Sequence, residues 1–315
     1  MRRDVAAAGT VAAALLLAAS MTVRVLAPTR ETPPRAIAGA APGYGPGAVS
    51  VVPNAAAVVR RVWLPDLDAG FDPQGLAVAG DAVLVSGYVS DRSSAHRGAC
   101  RVVRIDPESG RETGRLDVPS PCGHAGGVAL GGDGYLYVAD THTLFAIPLA
   151  GAFAAGAPQF RVVPLGPGVV GGLAVSSADG IWLGTYDETG PGRLYHFPAA
   201  ILARQRAGAM LTAGQASAAL TIPDYAQGAA FAADALWVAR SDTRWGTLDR
   251  RDPASGALRH RYAAAPGIEG IAFDASGGLW AVSEAGTRHF YDHPFVGLIE
   301  PFFPLAFALD VSRLE

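Results

Sequence analysis

Five times along this 315-residue chain a glycine leads into a short apolar run, a turn of Gly, Asp or Ser, and a second apolar run. The segments are QGLAVAGDAVLVSG from Gln74, GGVALGGDGYLYVAD from Gly126, GGLAVSSADGIWLGT from Gly171, QGAAFAADALWVAR from Gln227 and EGIAFDASGGLWAVSE from Glu269. Matching glycines stand at Gly75, Gly127, Gly172, Gly228 and Gly270, 42 to 56 residues apart. Paired apolar strands recurring at that period are the signature of a four-stranded propeller blade, which buries its faces only against its neighbours. The sequence therefore predicts an all-β chain, a β-propeller of about five four-stranded blades.

The rest of each repeat supplies the outer strands. In CRVVRIDPESGRETGRLDVP from Cys100, the residues Asp106, Pro107, Ser109 and Gly110 form the turn between them, and RRDPASGALRHRYA from Arg250 repeats the design. PAAILARQRAGAML from Pro198 reads as a short surface helix that lengthens the third repeat. A propeller must join its last blade to its first or leave strand edges open. The run from Val58 to Leu64 has no partner of its own, so it is expected to close the ring as the outer strand of blade five. A sixth blade is the alternative, but it needs about forty residues that lie nowhere outside the N-terminal low-complexity stretch. A parallel α/β sheet would need long amphipathic helices between its strands, which this sequence does not offer.

Three regions follow from composition. Arg2 and Arg3 precede an apolar run from Val5 to Val23, so residues 1–27 read as a signal peptide or, left uncleaved, a membrane anchor. Residues 28–56 are dominated by Pro, Gly and Ala and read as a disordered linker; residues 57–315 form the propeller domain. An exported, periplasmic or extracellular chain is expected, with residues 5–23 as its membrane tether if the leader stays. In such a compartment the only two cysteines, Cys100 and Cys122, invite a disulfide, with two buried free thiols as the alternative. The net charge of -3, with arginines scattered among acids, gives no basic stripe for nucleic acid.

YLYVADTHTLFAI from Tyr135 and GIEGIAFDASGGLWAVSE from Gly267 resemble the repeats of the NHL, YVTN and SMP-30/gluconolactonase-like propellers, a superfamily that also takes in strictosidine-synthase-like proteins. For the lactonase branch the resemblance implies a divalent metal held in the central channel by a Glu, asparagines and an Asp. This chain has a single asparagine, Asn54, in the linker. The metal set is not matched, and Glu269 alone fits its chemistry.

In a four-stranded blade, the start of the inner strand and the end of the second strand lie on one face. The first set gives Gln74, His124, Gln227 and Glu269; the second includes Tyr88, Asp140, Tyr186 and Glu284. Together they form a polar ring suited to a small polar molecule, with a protein partner as the alternative. Asp140 is as well read as a turn cap, and Trp182, Trp237 and Trp280, at equivalent second-strand positions, as packing between blades. Glu269 is the best candidate for a catalytic base, or for an oxygen ligand to Ca2+ supported by Gln74 and Gln227. No nucleophile elbow, zinc helix or phosphate loop is present. The leading expectation is a non-enzymatic binding propeller, and the alternative is a metal-assisted hydrolase or lyase.

Overall fold

The computed structural model describes residues 28–31, 36–90, 97–154, 156, 158–206, 208–291 and 299–315. The expected leader and tether, residues 1–27, lie outside them. Among the described residues no helix is long and apolar enough to cross a membrane.

Five four-stranded antiparallel sheets form the blades. Blade one contains Phe71–Ala79, Ala82–Ser90, Arg97–Ile105 and Glu112–Val118; blade two Gly127–Leu130, Tyr135–Asp140, Thr143–Pro148 and Arg161–Pro164. Blade three contains Leu173–Ser177, Gly180–Gly184, Gly192–Pro198 and Ala218–Ile222; blade four Ala226–Ala232, Ala235–Asp242, Trp245–Arg251 and Leu258–Ala263. Blade five joins Ile268–Phe273, Leu279–Ser283 and Leu305–Leu309 to Val58–Trp63 from the N-terminal side. That last strand pairs antiparallel, Leu305 opposite Trp63 and Phe307 opposite Arg61, which is the closure expected from the sequence. The expected helix after Pro198 is a short one, Ala199–Arg204.

The repeating glycines have a steric cause. A Cβ at Gly270 would sit 2.2 Å from Leu76 N, one at Gly127 2.2 Å from Ala174 N, and one at Gly75 2.6 Å from Val128 N. Each faces the backbone of the next inner strand, as Gly228 does against Glu269 O, whereas a Cβ at Gly172 would meet Tyr186 N of its own blade at 2.8 Å. Outside that ring, apolar side chains fill the gaps between blades. Trp237 and Trp280, each 4% exposed, share one core with Phe303 and Phe307. Trp182 packs on Phe231 of the next blade at 5.1 Å between ring centres.

Residues 28–56, expected to be a disordered linker, pack on the propeller over their described part. Arg30–Glu31 pairs with Val49–Ser50. Ser50 N donates to Phe302 O and Phe302 N donates back to Ser50 Oγ, both at 2.8 Å. Val49 and Val52 are buried with Phe302, and the Tyr44 hydroxyl donates to Gly286 O at 3.0 Å. Burial here comes one side chain at a time, so it leaves no period to read.

Candidate functional site

Three β-bulges build the mouth of the channel. The register slips between Pro73 and Gly75 in blade one, between Ala226 and Gly228 in blade four, and between Ile268 and Ile271 in blade five. Gln74 and Gln227 are the extra residues of the first two bulges, and Glu269 lies within the third. A bulge leaves such a residue out of the ladder and re-aims its side chain. The glycine that follows lets the neighbouring inner strand close in behind it.

The structure brings Gln74, Glu269 and Glu284 into one buried cluster, 4%, 1% and 7% exposed. Gln74 Nε2 donates to Glu284 Oε2 and to Pro73 O, both at 3.0 Å. Asp72, fully buried, accepts from Thr287 Oγ1 at 2.7 Å. Burial pushes the Glu269 carboxyl well above the usual range, and the charges of Glu284 and Asp72 push it further. Among the described residues its one side-chain hydrogen bond is between Oε1 and Ser241 Oγ, at 3.4 Å. The Ser241 hydroxyl also lies 2.8 Å from Ile268 O, the better acceptor geometry for its single proton. Glu269 Oε2 makes no hydrogen bond among the described residues.

The other expected residues fall differently. Asp140 Oδ1 accepts from the backbone of Gly123, His124 and Ala125, at 3.3, 2.7 and 3.0 Å, so its carboxylate clamps the turn after Cys122. That is its turn-capping role. His124 is half-buried with its ring 5.8 Å from that of Tyr88. Gln227 is half-buried, and its amide makes no hydrogen bond among the described residues. Cys100 and Cys122 form a disulfide. Among the described residues, the one trio of metal-ligating side chains whose ligand atoms lie within 4.8 Å of one another is Cys100, Cys122 and Asp140, and its sulfurs are already bonded together. The carboxylates of Asp72, Glu269 and Glu284 are spread more widely than that.

Sequence reasoning named Tyr186 but passed over Asp72, Thr287, Ser241 and the two rings, Tyr225 and Trp245, that continue the row from Tyr186. The rings of Tyr186 and Tyr225 meet at 88° with centres 6.2 Å apart, and those of Tyr225 and Trp245 at 68° and 5.4 Å. The Arg240 guanidinium, paired with Asp224 at 2.5 Å, lies 5.7 Å from the Trp245 ring centre. Asp72 and Tyr225 each stand three residues before a repeat glycine, as His124 does. That shared offset was the available signal. A separate cleft of about 710 Å3 between blades four and five is lined by Phe231, Asp234, Trp237 and Ala275. It sits at the far ends of the inner strands, away from the bulges.

No protein-family model matches the chain, and no curated protein is similar to it in sequence. Among solved structures it is similar to a glutaminyl cyclase from Myxococcus xanthus, with 13% identity and a TM-score of 0.51 over 80% of this chain and 94% of that one. An aldose sugar dehydrogenase from Streptomyces coelicolor in its PQQ-bound form gives 20% identity and a TM-score of 0.41, over 74% of this chain and 78% of that one. A streptogramin B lyase gives 12% and 0.37, over 70% and 65%. At such identities the likeness to the cyclase speaks for the propeller fold alone.

Proposed function

We propose that this chain is an exported propeller that binds a small polar molecule at its axial mouth without transforming it. One observation carries the reading. Glu269 is 1% exposed, sits at a bulge on the axis, and keeps Oε2 without a hydrogen bond among the described residues. A buried carboxyl of that kind is costly to the fold unless something else uses it. Gln227 offers a second unused polar group on the adjacent blade, while Gln74 and Glu284 hold the blade-one side in place. The disulfide supports an oxidising compartment, and hence export.

The alternative is a metal-assisted hydrolase or lyase with Ca2+ on Glu269, Gln74 and Gln227. These are oxygen donors of the type calcium takes, but calcium needs six to eight such ligands, and the three buried carboxylates do not converge as a clasp. Thermal shift of the purified protein with calcium and with EDTA separates the two. The binding reading expects no change with either. A calcium-dependent rise in melting temperature that Glu269→Gln abolishes would favour the metal reading.

A further inference from the structure

Two rings and one carboxyl at the mouth define a ligand class more narrowly than polarity does. Tyr186, just beyond the second strand of blade three, and Tyr225, just before the inner strand of blade four, are both half-buried and set at 88° to each other. They form two walls of a box. Tyr225 has φ of 53°, a left-handed backbone that a bulky side chain rarely adopts. Two backbone bonds hold it there, Tyr225 N to Asp187 O at 2.8 Å and Ser241 N to Tyr225 O at 3.2 Å. The strained backbone thus fixes where this ring stands, a cost that is seen mostly at functional positions.

The third component is Glu269 on blade five. A Cβ at Gly228 would lie 2.5 Å from Glu269 O, so the bulge that carries Gln227 lies directly against this residue. Glu269 is also near enough to Tyr186 for the two groups to interact electrostatically, while burial and the Glu188 contact hold that phenol protonated. Glu188 accepts the Tyr186 hydroxyl at 3.1 Å, placing a second acid at the rim. Blades three, four and five thus present two perpendicular ring walls, an unbonded amide and a buried carboxyl with an unused oxygen.

We propose that the mouth takes an organic ammonium ion, its cationic head set against the Tyr186 and Tyr225 rings and facing Glu269 Oε2. The proposal rests on the mouth-binding reading above and narrows it to one chemical class. Ring faces attract a weakly hydrated ammonium through their negative quadrupole. A divalent metal ion would want a full shell of oxygens, which rings cannot supply. Burial and the neighbouring acids hold the Glu269 carboxyl protonated, and a cation beside Oε2 favours its ionised form in a way that a neutral polar ligand does not.

The test compares choline with its uncharged isostere 3,3-dimethylbutan-1-ol by calorimetric titration of the full-length protein. Choline is expected to bind saturably and about tenfold more tightly than the isostere. Tyr186→Leu should lose about tenfold in choline affinity, while Tyr186→Phe, which keeps the ring, should retain it. Glu269→Gln should weaken choline and leave the isostere unchanged. Circular dichroism checks each variant for folding, and the choline-to-isostere comparison on the unaltered protein needs no variant. Absence of choline binding, equal binding of the two compounds, or a folded Tyr186→Leu protein with unchanged choline affinity overturns the assignment. Equal binding that still falls on Gln74→Ala overturns the ammonium class alone. Binding indifferent to both Gln74→Ala and Glu269→Gln overturns the mouth reading as well.

Discussion

Gln74 Nε2 donates to Glu284 Oε2 at 3.0 Å, joining the first residue cluster of blade one to the end of the second strand of blade five, 210 residues further along the chain. The bond is buried and crosses the seam where the propeller closes. Gln74→Leu removes the donor to a buried carboxylate and is expected to cost about 1–3 kcal/mol. Urea unfolding monitored by tryptophan fluorescence measures it. A change within about 0.5 kcal/mol would show that the seam does not depend on this pair.

The axial glycines set a sharper steric limit. Gly270→Ala would bring a methyl to 2.2 Å from Leu76 N, backbone against backbone, where no side chain can swing aside. The variant is expected to lose more than about 3 kcal/mol or to fail to fold, whereas Gly47→Ala, with open space around it and an ordinary φ, should lose far less. Comparable midpoints for the two variants would contradict the packing of inner strands at the axis.

The pH dependence of stability has a definite sign. Glu269 titrates above its ordinary value of 4.5 in the folded protein, so the folded state holds a proton that the unfolded chain releases. Its contribution is complete below about pH 4.5 and falls by about 1.4 kcal/mol per pH unit above it, until its folded pKa is passed. Surface acids such as Asp252, held down to about 2 by Ser255 and Arg259, titrate on the other side of that window. Unfolding midpoints should therefore fall from pH 5 to pH 7, and Glu269→Gln should flatten the fall. An equal slope in the variant would place the titrating group elsewhere.

The link between Cys100 and Cys122 closes a loop with a sequence separation of 22 and ties the third strand of blade one to the turn before blade two. Chain-entropy arguments give it about 3 kcal/mol. The denatured, unreduced protein should show no titratable thiol, and Cys100→Ser with Cys122→Ser should lower stability by that order. Two free thiols would refute the bond.

What the sequence disclosed followed from its period. The repeat glycines and the polar residues directly before Gly75, Gly228 and Gly270 recur in register, because at Gly75, Gly127, Gly228 and Gly270 the neighbouring inner strand comes too close for a side chain, and the strand at Val58 stood out by having no partner within that period. Glu284 was readable as the end of a second strand. Asp72 and Tyr225 lie one bulge further upstream, where pairing breaks and the alternation that marks a strand is lost. The segment around Tyr44, Val49 and Val52 hid its packing for a related reason. It docks on Phe302 and Gly286 through scattered side chains within a Pro- and Gly-rich stretch, and such contacts have no periodic signature.

Gln74, Gln227 and Glu269 are proposed to hold a small polar molecule at the axial mouth. Thermal shift across a panel of small polar and cationic metabolites, run on the protein and on the Gln74→Ala, Gln227→Ala, Glu269→Gln triple variant, tests it most directly. At least one compound should raise the melting temperature of the unaltered protein and leave the folded variant unmoved. A compound that stabilises both equally, or a panel that stabilises neither, would contradict the claim.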